Sequence, residues 1–133
     1  MNYEQAQSLV AEAIALAAKD YGRPMCVAVC DVYGFVIAFG RMDGAPVRSI
    51  ALSQGKAYTS ARMGVDTDAF LERLHRENIP ASYFCDDKLT GMPGGCIAKG
   101  ADGRIVGAVG ISGLAPSEDL AIARALVARA ASF

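Results

Sequence analysis

The sequence is nearly without excess charge: thirteen Lys and Arg against fourteen Asp and Glu leave a net −1. No run of Lys or Arg forms a stripe able to neutralise several phosphates, so nucleic acid is not an expected partner. A basic leader and an unbroken apolar run are also missing, because Glu12 and then Lys19-Asp20 interrupt the first apolar stretch. Neither a signal peptide nor a membrane span is expected, and the chain is expected to be cytoplasmic with no membrane partner. Histidine occurs once, at His75, and the four cysteines (Cys26, Cys30, Cys85, Cys96) do not match the spacings of a zinc site. In a chain of this kind they are expected to be reduced. Nucleotide motifs are missing too. Gly107, Gly110 and Gly113 have the wrong spacing for a dinucleotide fingerprint, and Gly55-Lys56-Ala57 lacks the flanking residues of a phosphate loop. No nucleotide cofactor is expected. With no repeat, linker or low-complexity stretch, residues 1–133 are expected to form one domain.

Apolar residues are plentiful: 53% of the chain is hydrophobic and 20% charged, which is enough to offset the entropy of ordering the backbone. The near-neutral charge offers little resistance to self-association, so a homo-oligomer is expected. Helical spacing of Ala6, Leu9, Val10, Ala13, Ile14 and Ala17 predicts a first helix over 3–20, stopped by Gly22 and Pro24. Two β-rich runs, 25–32 and 35–39, flank Tyr33-Gly34 and predict a hairpin whose first strand is apolar on both faces. Ser49 is the expected cap of a helix reaching Met63, with Ile50, Ala57, Tyr58 and Ala61 on its buried side. A short helix from Asp66 or Thr67 ends before Pro80, and an irregular segment with one short strand at 83–85 follows. Asp102-Gly103 predicts a second hairpin, and Pro116 with Glu118 and Asp119 opens a last helix. The glycines of the longer second-hairpin strand would let another backbone or a flat ligand approach closely. The order lacks strand-helix-strand alternation. The expected fold class is therefore α+β: one antiparallel sheet flanked by helices, in the order helix, two strands, two helices, two to three strands, helix.

Polar residues set among glycines form the candidate pocket: Arg41, Asp43 and Gly44 after the second strand, Gly94-Gly95, and Ser112 with Glu118 and Asp119. Arg41 and Lys56 would grip a carboxylate while the Gly94-Gly95 amides form an anion nest. Alternatively Arg41 pairs with Asp43, and Lys56 is solvated or pairs with Glu118 or Asp119. Cys96 is read as a small buried hydrophobe or as a ligand-facing thiol. No nucleophile-base pair is evident.

The segments GRMDGAPVRSIALSQGKAYTSARM, MPGGCIAKGADGRIVGAVGISG and SEDLAIARA resemble, in that order and over nearly the whole chain, the signature segments of the GlcG/HbpS-like heme-binding-protein family. The chain is also similar to the C-terminal domain of PduO-type proteins. The resemblance implies a profilin-like fold, assembly into multimers, and in several relatives heme binding or a role beside corrinoid metabolism. The expected function is thus an oligomeric small-ligand-binding accessory protein for heme or another tetrapyrrole. Its ligand would lie near the RMDGA and PGG segments at a subunit boundary. His75 would then be either an axial heme ligand or an exposed helix-end histidine, with Cys85, Met92 and Tyr83 as other conceivable ligands. The chain departs from the family where PGG is followed by Cys96-Ile97 instead of an apolar residue and proline. The competing expectation is an isomerase, tautomerase or lyase acting on a small carboxylate in a catabolic pathway, with Asp43, Glu118, His75 or Cys96 moving protons.

Overall fold

Asn2 starts the first helix by a reciprocal cap: its side chain accepts from Gln5 N at 2.8 Å while Gln5 Oε1 accepts from Asn2 N at 2.9 Å. In the computed structural model, which describes residues 1–133, this helix is α1 (Tyr3–Leu16), and it runs into a π turn over Ala17–Tyr21. A hairpin of β1 (Cys26–Cys30) and β2 (Val36–Arg41) follows, then α2 (Arg48–Met63) and α3 (Thr67–Glu77). A second hairpin, β3 (Gly95–Lys99) and β4 (Ile105–Ser112), leads to α4 (Pro116–Ala130). The four strands make one sheet in the order β2-β1-β4-β3, antiparallel throughout.

Period-two alternation divides the sheet between its two helical layers. Val27, Val29, Val109 and Ile111 join Leu9, Val10, Ile122 and Leu126 in the main core beneath α1 and α4. Ala28, Cys30 and Ala108 face α2 with Ala57. All five residues of β1 are fully buried, as expected of a strand covered on both faces.

α2 differs from its expected amphipathic form. Its buried residues include Ser49, Ser53, Lys56, Ala57 and Ser60, while Ile50, Tyr58 and Ala61 are only half-buried. The sheet explains why. Gly110 lies opposite Ala28 on one side and Gly95 on the other, so beneath α2 there is almost no side chain. A Cβ on Gly110 would stand 2.0 Å from Ser53 O and 2.6 Å from Ala57 N. The helix backbone therefore rests on the sheet over Gly110, at Ser53 and Ala57. Ser53 and Thr59 return their hydroxyls to the helix carbonyls of Ile50 (3.1 Å) and Gly55 (2.7 Å).

Two smaller expectations also change. α2 begins at Arg48, and Ser49 is no cap: its Oγ accepts instead from Ser112 Oγ at 3.3 Å. The strand expected at 83–85 is a 3₁₀ turn over Ala81–Phe84, because Cys85 adopts φ +55, which strand backbone does not allow. Phe84 packs edge-on against Phe70, ring centres 5.6 Å apart. The free edge of β3 is closed by the turn between α2 and α3. Thr67 Oγ1 accepts from Gly95 N at 3.0 Å, and Asp66 Oδ1 accepts from Ile97 N at 2.9 Å.

Candidate functional site

The glycine-embedded polar residues of the sequence separate into a buried centre and a surface loop. At the centre Lys56 is fully enclosed between α2, β4 and α4. Its Nζ donates to Ile111 O at 2.7 Å and to Asp119 Oδ2 at 3.1 Å, and Asp119 Oδ1 accepts from Leu114 N at 3.0 Å. Burial pushes the Lys56 ammonium below the usual lysine range, opposed by the Asp119 charge and its hydrogen bond. Burial likewise pushes the Asp119 carboxyl up, opposed by the Lys56 charge and the Leu114 N–H. Gly94 covers the pair. At φ +123 a Cβ there would meet Ile111 O at 2.7 Å and Lys56 Nζ at 2.9 Å. Among the alternatives for Lys56, the structure has the pair with Asp119.

The remaining candidates do not converge. Gly95, Cys96 and Ser112 are buried, and burial drives the Cys96 thiol far above the ordinary cysteine range. Glu118 pairs with Arg23 and accepts from Ala115 N at 3.0 Å, and that N–H is the first cause of its lowered pKa, with Arg23 second. Arg41, Asp43 and Gly44 stand exposed, with no ion pair between Arg41 and Asp43. His75 is exposed on α3. Asp43, Glu118, His75 and Cys96 lie on four different elements and make no hydrogen bond to one another. No three His, Cys, Asp or Glu side chains gather where they could hold a metal ion.

A cavity lies elsewhere. It is a groove of about 760 Å³, within the roughly 300–1,000 Å³ range of small-molecule sites. Its floor is one stripe of α2, namely Arg48, Ala51, Leu52, Gly55 and Tyr58. The β1–β2 hairpin gives one wall through Gly34, Phe35 and Val36, and Asp87, Lys88, Leu89 and Thr90 give the other. Phe35 is 62% exposed and Val36 46%, which leaves an aromatic ring and a branched side chain without protein cover. The second wall is tied down: Tyr58 Oη donates to Asp86 Oδ2 at 2.7 Å and Thr90 N donates to Thr59 Oγ1 at 2.9 Å. The Tyr58 ring carries Arg62 at 4.9 Å and Lys88 at 5.4 Å from its centroid. The Tyr58 hydrogen bond is the first cause holding the Asp86 carboxyl low, and it raises the phenol in turn. The groove thus offers apolar faces, with Arg48 and Lys88 as cations and Asp87 as an anion in its lining. That combination suits a flat, largely apolar molecule bearing carboxylates.

None of the candidate site residues named from the sequence lines this groove. Two signals for it were present. Arg48, Ala51, Leu52, Gly55 and Tyr58 follow helical spacing on the side of α2 away from the sheet, and Phe35 stands beside a turn glycine.

Comparison with known proteins gives a consistent picture. Residues 1–128 match the family described as "Haem degrading protein HbpS-like". Protein GlcG of Escherichia coli K12 is 34% identical over 86 residues, 65% of this chain and 62% of that protein. The chain thus spans less than two-thirds of the length of the curated relatives it matches. A double mutant of Streptomyces reticuli HbpS superposes with a TM-score of 0.86 at 28% identity, covering 97% of this chain and 86% of that one. A crystal structure of a PduOC:heme complex superposes with a TM-score of 0.83 at 25% identity, covering 96% and 93%.

Proposed function

The chain belongs to the HbpS-like family, and on that premise we propose that it is a cytoplasmic, homo-oligomeric accessory protein that holds a tetrapyrrole, heme being one, in the groove between α2, the β1–β2 hairpin and residues 87–90. The observation that carries the reading is the groove itself: Phe35, Val36, Leu52 and Leu89 would cover the ring, and Arg48 and Lys88 would meet its carboxylates. No helix of the chain is long and apolar enough to cross a membrane.

The lining fits a tetrapyrrole plane and its carboxylates better than it fits iron. It contains no imidazole, thiol or thioether, and the one phenol, Tyr58, is already hydrogen-bonded to Asp86. His75 lies outside it. When bound, heme would supply redox and oxygen chemistry, while this chain's residues hold the ring and exclude water from its faces. The experiment is titration of the purified protein with hemin and with iron-free protoporphyrin IX. Both should saturate, with affinities within roughly tenfold of each other, because the protein grips the ring and not the metal. Arg48→Glu together with Lys88→Glu should weaken both by about ten- to a hundred-fold, as expected on losing charge-assisted contacts. Neither ligand saturating, or the double variant binding like the parent, overturns the assignment to this groove.

A further inference from the structure

The two edges of the sheet are not alike. Ile111 N donates to Gly94 O at 2.9 Å, so by antiparallel alternation Gly95 and Ile97 direct their backbone groups away from β4. Thr67 and Asp66 meet both, as described above. At the other edge Met42 N donates to Met25 O at 3.1 Å, which makes residues 42 and 25 a bonded pair. With Gly40 opposite Val27 and Ala38 opposite Val29, the same alternation turns the N–H and C=O of Phe39 and Arg41 outward. No backbone or side-chain group of the chain meets them. On the α2 face of the sheet, which Phe39 and Arg41 share with Ala28 and Cys26, Phe39 is half-buried against the cluster of Ala28, Cys30, Ala57 and Ala108, and Arg41 is exposed.

We propose that β2 is the self-association edge, pairing antiparallel with β2 of a second copy about a two-fold axis through Gly40. This deepens the homo-oligomer reading and rests on it. In this register Phe39 lies opposite the partner's Arg41 and Arg41 opposite the partner's Phe39, and both outward residues of each copy form their hydrogen bonds. Each arginine then meets an aromatic ring across the strands. Slipping the register one way sets Arg41 against its own copy, like charge on like. Slipping it the other way calls on Ile37, which falls in the irregularity between the pairs Val29↔Ala38 and Cys30↔Val36. A two-fold axis makes the contact closed: each copy offers one open edge, and the other is already capped.

The test is mass measurement by native mass spectrometry and light scattering, with hydrogen exchange on 37–42. The wild type should be an even-numbered assembly with the Phe39 and Arg41 amides protected. Phe39→Lys places like charges opposite each other twice and should weaken the pairing about tenfold. Adding Arg41→Glu to Phe39→Lys should restore it. Arg41→Pro removes one outward N–H at an edge position that tolerates proline, and it should halve the mass with the thermal midpoint of the separated subunit preserved. Assembly unchanged in both Phe39→Lys and Arg41→Pro overturns the β2 edge and leaves self-association standing. A failed charge-swap rescue overturns the Gly40-centred register. A wild type that is monomeric at micromolar concentration overturns the homo-oligomer reading itself.

Discussion

Replacing Lys56 by methionine tests how much of the fold hangs on one buried pair. At 3.1 Å and an effective dielectric constant of about 20, the attraction between the two charges is roughly 5 kcal/mol. Lys56 Nζ also bonds Ile111 O, tying α2 to the end of β4. Removing the ammonium leaves the Asp119 carboxylate enclosed with only the Leu114 N–H, a loss expected to cost about 3–5 kcal/mol. For a chain of this length that lowers the thermal midpoint by about 10–18 °C. The dependence on pH has a definite sign. Asp119 has its folded pKa raised by burial, and without Lys56 only the Leu114 N–H opposes that rise. The folded state then binds a proton more readily than the unfolded one, so stability is regained as pH falls below the folded pKa and lost as pH rises through it. Urea denaturation at pH 7 and pH 5 should show the Lys56→Met deficit shrinking at the lower pH. The paired change of Lys56→Met with Asp119→Leu should recover most or all of the loss, since apolar pairs commonly match buried ion pairs. A single-variant deficit under about 1 kcal/mol, or one that does not change with pH, would refute the account.

Gly110→Ala should destabilise by more than about 3 kcal/mol by chemical denaturation, because the added methyl meets the α2 backbone, which has no room to move. Thiol titration of the native protein should count one reactive cysteine, Cys85, and four after unfolding: Cys26, Cys30 and Cys96 are buried, and burial pushes Cys30 up to about 12. His75→Ala should leave hemin affinity within about twofold of the wild type, measured by Soret titration, since the exposed imidazole lies outside the groove.

The hairpins, the apolar faces of β1 and the opening of α4 were legible because each rests on local chemistry: a turn glycine, alternation, an N-terminal proline with acidic neighbours. The buried side of α2 was not. Its serines and Lys56 resemble a solvated surface until the sheet below is known to carry Ala28, Gly110 and Gly95, and strand pairing over such separations is not written into any window of sequence. The groove was missed for a related reason. Its floor stripe on α2 follows helical spacing, but the stripe that packs on the sheet does too, and only the tertiary contacts tell inside from outside. Gly94 and Gly95 looked like an anion nest, whereas their lack of side chains makes room for Lys56 and for the α2 backbone.

The capped edge of β3 also has a consequence in time. Thr67 precedes Gly95 by 28 residues and Asp66 precedes Ile97 by 31, so during synthesis both guards leave the ribosome before the strand they protect. Chains are made from the N-terminus at about 5–20 residues per second, and a bare strand edge is the feature of a nascent protein most prone to mispairing with a neighbour. Here β3 emerges into a chain whose sealing groups are already outside, and the unsealed edge need never be presented to another molecule on the same polysome.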